Sequence, residues 1–284
     1  MSLPLQQIGP ALLFELLRLA AWFALLLAIV VPLERIWPLH KQTFLRRHFG
    51  VDVVYFFLSG LVPKLLLLLP LSSLAALLQS GIGGSYYSWV ADLPFVARLA
   101  ASFLAGEIGA YWAHRWSHEV PLLWRFHSVH HAPEQMDWLV NTRAHPVDLL
   151  FTRLCVLAPM FLLGLAQPLG NRADIVPMLV AVIGTIWGFF IHANLNWRLG
   201  PFELLLSTPA FHHWHHNNAD LATTNKNFAP MLPWVDRLFG THHLPSHQWP
   251  ATYGLVPPLQ EMQKPRNVAP PVPGLSFESR PSSN

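Results

Sequence analysis

Apolar stretches at residues 8–31, 51–78, 93–113, 146–166 and 175–191 alternate with shorter polar segments. Each is close to the roughly 20 apolar residues that carry a helix across a bilayer. The pattern predicts an all-α, multi-pass transmembrane helical bundle of about five spans. The second stretch carries Pro63-Lys64 near its middle, where proline removes a helix hydrogen bond and an ammonium is costly in hydrocarbon. It is expected to be kinked or re-entrant, with Lys64 snorkelling towards headgroups. The first stretch is too long for a signal peptide and lacks its small-residue cleavage site, so it reads as a span. Three regions follow: N-terminal helices and loops over 1–92, a helical unit over 93–250, and a proline-rich tail over 251–284 that reads as disordered.

Composition agrees with the pattern. Charged residues make up 12% of the 284 positions, against about 25% in soluble domains. Arg35, Lys41, Arg46 and Arg47 follow the first stretch, and Arg115, Arg125 and Arg143 follow the third, whereas the 79–92 loop has no Lys or Arg. The positive-inside rule then puts these basic segments in the cytoplasm. It also accounts for the net charge of +3 without a nucleic-acid partner. A bacterial inner membrane is the preferred location, with endoplasmic reticulum as the alternative. Cys155, the single cysteine, reads as a small core hydrophobe.

The polar chemistry is concentrated in imidazoles. His127-Ser-Val-His130-His131 and His212-His213-Trp214-His215-His216 repeat one His-x-x-His-His phrase, and His114 and His118 stand four apart at the end of the third stretch. Residues three and four apart share a helix face, so each phrase can aim its rings at one point. His213 would point elsewhere. Eight ligands exceed one metal's need, and a closed zinc site usually recruits cysteines; the spacing points to a two-metal site in a helical cap at the cytoplasmic rim. His192, ending the fifth stretch, is a ninth candidate. Asn196, one turn on, is placed to orient it or a bound water. Glu107 lies seven residues before His114, about 10 Å deeper, and an acid inside a span is either functional or paired. His40, His48, His242, His243 and His247 read as ordinary surface or packing residues.

These phrases occur together with Asn141-Thr-Arg143-Ala-His145-Pro146, Asn225-Lys-Asn227-Phe228 and Trp234-Val-Asp236-Arg-Leu-Phe239-Gly240-Thr241. In this order, from about Phe103 to His243, they resemble the fatty acid hydroxylase and sterol desaturase superfamily of integral-membrane di-iron enzymes. The resemblance implies metal ligation by His114, His118, His127, His130, His131, His212, His215 and His216, with His192 joining them. It leaves His145 as either a site residue or a helix cap, and makes Asp236 and Thr241 organisers of a turn.

It also implies two iron ions that use O2 as co-substrate to hydroxylate, or to desaturate, a lipid such as a fatty acyl chain or sterol. Zinc could occupy the same nest in purified protein without supporting the reaction, since it has no redox chemistry. Attacking an unactivated C–H bond requires a redox metal, because no side-chain acid or base can ionise it. The sequence shows no dinucleotide fingerprint and no cysteine cluster, so an external reductase, ferredoxin or b-type cytochrome is expected to supply electrons. Glu107 and Asn196 are the candidate catalytic residues beside the ligands. The competing classes are a metal transporter, which should carry ligands along a path through the bilayer, and a metal-dependent membrane hydrolase, which needs one activated water and usually a catalytic carboxylate.

Overall fold

A computed structural model describes residues 5–81, 84–166, 175–219 and 221–255. The described residues are helical, with two isolated β-bridges, Pro38 to Leu195 and Asn217 to Tyr253. The proline-rich tail expected over 251–284 lies outside them from residue 256 onward.

Helices stand at all five apolar stretches: α1 (Leu5–Ile36), α2 (Phe49–Gly81), α4 (Phe95–Glu119), α6 (Pro146–Leu162) and α7 (Ile175–His192). A short α3 (Gly84–Ala91) precedes α4. Two helices, Gly9–Ile36 and Ile175–His192, are long and apolar enough to cross a membrane. A third candidate is the pair Ser85–Ala91 and Phe95–Glu119 if its 109° bend belongs to one span. This is fewer than the five expected. The 17 residues of α6 reach only about 25 Å against a hydrocarbon core of roughly 30 Å. In α2, Pro63 and Pro70 lie within the helix.

Two packing arrangements position the rest. Leu19 and Leu26 of α1 and Phe56 of α2 pack with Trp138, Leu139, Phe189 and Leu195, which fixes the ends of α1, α2 and α7 around the 3-10 turn Trp138–Thr142. The second is the α4–α6 contact. Small residues Ala105, Gly106, Gly109, Ala110 and Ala113 line the buried side of α4. A Cβ at Gly109 would run into the Cys155 carbonyl, so glycine is what lets the two backbones approach this closely.

The polar half of the chain folds as short, capped pieces. Val120, ahead of Pro121, is extended (φ −97, ψ 114), as the residue before proline prefers. It stops α4 and starts α5 (Pro121–His131) with proline in the first turn. His145 Nδ1 accepts the Val147 N–H at 3.1 Å and caps α6, which gives the Arg-x-His-Pro phrase a capping role. After the 3-10 turn Gly200–Leu204, Thr208 caps α8 (Pro209–His215). The one-turn α9 (Leu221–Thr224) and α10 (Pro233–Leu238) close the cap.

Candidate metal centre

Four elements converge on one buried spot. The last turns of α4 bring His114 and His118, α5 brings His127, His130 and His131, the end of α7 brings His192, and α8 with its C-cap brings His212, His215 and His216. Their ring nitrogens form two groups, His114, His118, His127, His131 and His215 in one, and His130, His192, His212 and His216 in the other. Within each, the donor atoms lie within 4.8 Å of one another. The groups abut: the rings of His131 and His216 stack with centroids 4.3 Å apart.

Second partners fix the tautomers. A carbonyl oxygen only accepts, so each ring nitrogen facing one carries the proton and leaves the other as a bare lone pair. His130 Nδ1 donates to the Arg143 carbonyl, His192 Nδ1 to Gly188, His114 Nδ1 to Phe228 and His215 Nδ1 to Lys226, at 2.7–3.1 Å. His118 Nδ1 donates to Asn225 Oδ1 at 3.2 Å.

The unprotonated Nε2 atoms of His130 and His192 then face each other at 3.2 Å. Those of His118 and His215 both lie 3.1 Å from His131 Nε2. Lone pairs this close repel unless a cation sits between them. Nitrogens about 2.0–2.1 Å from a common ion are separated by roughly 2.9 Å at right angles and about 3.3 Å in a tetrahedron. The observed separations, 2.9 Å for His212–His192 and 3.1 Å for His216–His212 among them, fall in that range. The donor set therefore fits two metal ions.

Electrostatics act in the same direction. Burial, reinforced by the neighbouring imidazoles, pushes His130 down to about 3 and holds His131, His212, His215 and His216 well below the ordinary histidine range. All are neutral at pH 7, the form that binds metal. His127 is oriented by a carboxylate: its Nδ1 donates to Asp148 Oδ2 at 3.1 Å, and its buried Nε2 has no hydrogen-bond partner among the described residues. This is the usual carboxylate–histidine–metal arrangement. Asp148 escaped the sequence reading; its signal is an acid in the first turn of an apolar helix, where it needs a partner.

The carbonyls themselves are held. Asp236 accepts the N–H groups of Phe228 and Ala229, each at 2.8 Å, and the Thr241 hydroxyl at 2.7 Å, the turn-organising role expected of both. Glu107 Oε1 accepts the N–H groups of Met231 and Leu232 at 2.8 and 2.6 Å. That places its carboxylate under the same loop, outside both imidazole groups. Asn196 is exposed, and its N–H goes to the Trp37 carbonyl; it does not join the groups either. His213 stands apart as its register predicts, bonded to the Tyr253 hydroxyl and the Ala193 carbonyl.

A family model described as fatty acid hydroxylase matches residues 99–241, half of the chain. An ornithine lipid hydroxylase of Rhizobium tropici is 36% identical over 164 residues, covering 57% of this chain and 47% of that protein. An alkylglycerol monooxygenase of Danio rerio is 34% identical over 161 residues, 56% of this chain and 33% of its own. A methylsterol monooxygenase of Arabidopsis thaliana is 26% identical over 156 residues, 51% of this chain and 52% of its own. The matches thus span only a third to a half of these relatives' lengths. No solved structure matches the chain.

Proposed function

The chain belongs to the fatty acid hydroxylase family, and from that premise we propose that it is an integral-membrane lipid hydroxylase with an iron ion in each of its two imidazole groups. The observation that carries this reading is the set of nine ring donors in two abutting groups, with bare nitrogens facing one another. In this reading the paired irons, when bound, supply the redox chemistry that activates O2 against an unactivated C–H bond. An external reductase, ferredoxin or b-type cytochrome supplies the electrons.

The chain's own residues do the remaining work. His114, His118, His127, His131 and His215 hold one ion, and His130, His192, His212 and His216 the other. The Arg143, Gly188, Phe228 and Lys226 carbonyls lock the ring tautomers, and Asp148 raises the donor strength of His127. Burial of the rings (His215 is 0% exposed and His131 3%) excludes bulk water from the reacting position and so limits loss of oxidising equivalents. The apolar helices α1, α2, α4, α6 and α7 are taken as membrane-embedded. The ligands lie at the ends of α4 and α7, so a lipid chain can approach from the bilayer while its polar head stays near the cytoplasmic surface. The relatives act, by their names, on an ornithine lipid, an alkylglycerol and a methylsterol, and the substrate proposed here is a polar lipid with a long apolar portion.

Neither competing class fits the geometry. A transporter needs ligands strung along a path, and these are gathered into two abutting groups. For a hydrolase, the nearby Glu107 carboxylate is committed to two backbone N–H groups. The test is to incubate anaerobically purified, iron-loaded protein with O2, a reductant and a panel of ornithine lipids, alkylglycerols, sterols and phospholipids. A product one oxygen atom heavier, formed with matching O2 uptake, is expected. Lipid hydrolysis without O2 uptake would overturn the proposal.

A further inference from the structure

A cavity with mixed polar and aromatic walls lies at the end of α1, and none of the nine imidazoles lines it. It holds about 240 Å³ and is lined by Glu34, Lys41, Phe44, Phe49 and Trp138 among others. Asn194, on its wall, stands two residues beyond His192. The volume is below the roughly 300–1,000 Å³ of drug-sized pockets. It suits a small polar group, not a whole lipid chain.

Glu34 sets the chemistry of its floor. The side chain is buried, and Oε1 accepts the N–H groups of Trp138 at 2.9 Å and Asn194 at 2.8 Å. Oε2 makes no hydrogen bond among the described residues. The neighbouring charges are already balanced: Arg46 pairs with Asp52 and Asp137, and Arg143 with Asp52. Two arginines thus neutralise two aspartates, and Glu34 makes no ion pair among the described residues. An acid buried without a counterion is disfavoured as an anion, an ammonium entering the cavity would stabilise its charged form, and the aromatic walls are suited to one. At the mouth the sign reverses. Arg35 and Lys41 are exposed, with the Arg35 guanidinium held 3.0 Å from the Gln42 carbonyl. Exposed Phe44 lines the cavity, and exposed Ile36, Trp37 and Leu45 are chain neighbours of its lining residues Arg35, Pro38 and Phe44 at the end of an apolar helix, as residues at a membrane interface are.

We propose that this cavity binds the headgroup of a zwitterionic, amine-bearing lipid, with the ammonium on Glu34 and the anionic group on Lys41 and Arg35. The apolar collar selects a lipid over a soluble amine. The site needs neither metal nor turnover, so it stands or falls independently of the oxygenase reading.

The test is native mass spectrometry of metal-free, detergent-solubilised full-length protein. It is titrated with dioleoyl phosphatidylethanolamine, with dioleoyl phosphatidylglycerol, which has the same tails and phosphate but no amine, and with soluble phosphoethanolamine. The ethanolamine lipid is expected to bind about tenfold or more tightly than the other two, the worth of one charge-assisted hydrogen bond. Glu34→Gln keeps an oxygen for both N–H groups and removes the charge, and is expected to erase that preference. Lys41→Glu, a change at an exposed position, tests the anionic contact should Glu34→Gln fail to fold: it is expected to weaken ethanolamine-lipid binding, and unchanged binding would overturn the proposal. Equal binding of the two lipids, equal binding of soluble phosphoethanolamine, or full preference retained in a folded Glu34→Gln protein would each overturn the proposal.

Discussion

His130 and His192 each give a Nδ1 proton to a backbone carbonyl and turn bare Nε2 atoms towards each other at 3.2 Å. A cation between them removes the repulsion of the facing lone pairs. Replacing His130 or His215 by alanine is therefore expected to lower bound metal and abolish turnover. His247→Ala, at an exposed position, should do neither; elemental analysis of the three purified variants checks this. Asp148→Asn should fold and lose about 10–100-fold in metal affinity, read by chelator competition, and unchanged affinity would contradict the orienting role of Asp148. Glu107→Gln keeps an acceptor for Met231 and Leu232, so stability and turnover are expected near wild type. Glu107→Leu orphans both N–H groups and should cost about 2 kcal/mol or more, measured by thermal unfolding. A folded Glu107→Gln protein without activity would instead place the carboxylate in substrate handling. The ligand face was legible in the sequence because His-x-x-His-His spacing maps directly onto a helix. The partners of Asp148, Glu107 and Asn196 were not, since each depends on chain 20 to 160 residues away.

Each site-bearing element owes its position to a local device. Thr208 caps α8, and Thr208→Ala is expected to cost about 1 kcal/mol and to loosen the group that holds His212 and His216. Gly109 lets α4 lie against the α6 backbone. Gly109→Leu would force the helices apart at a cost of about 1–3 kcal/mol or more, and should reduce metal content along with stability, because His114 and His118 ride on α4 and Asp148, the partner of His127, on α6. Retained metal in a destabilised protein would show that the site does not depend on this contact. The five apolar stretches predicted the helix positions well. Span number was less legible, because hydropathy along the chain does not reveal that α6 ends at Leu162 or that the segment before α4 bends by 109°.

For the molecule as a whole, two abutting imidazole groups sit where the ends of α4 and α7 meet a cap that pins their carbonyl partners. The buried histidines make stability depend on pH in a definite direction. His130 titrates near 6.5 when unfolded and at about 3 when folded, so between those values the unfolded chain binds more protons. The metal-free protein is expected to lose stability steadily as pH falls below about 6.5, seen as a declining Tm in buffers of matched ionic strength. A Tm that rises on acidification would contradict the neutral-ligand assignment. The central claim is that each group holds an iron and that the two act as a pair. Iron analysis with Mössbauer spectroscopy on anaerobically purified, iron-supplemented protein tests it most directly. The account predicts about two irons per chain, one for each imidazole group, in a single coupled signal; one zinc per chain, or iron that is absent or uncoupled, would contradict it.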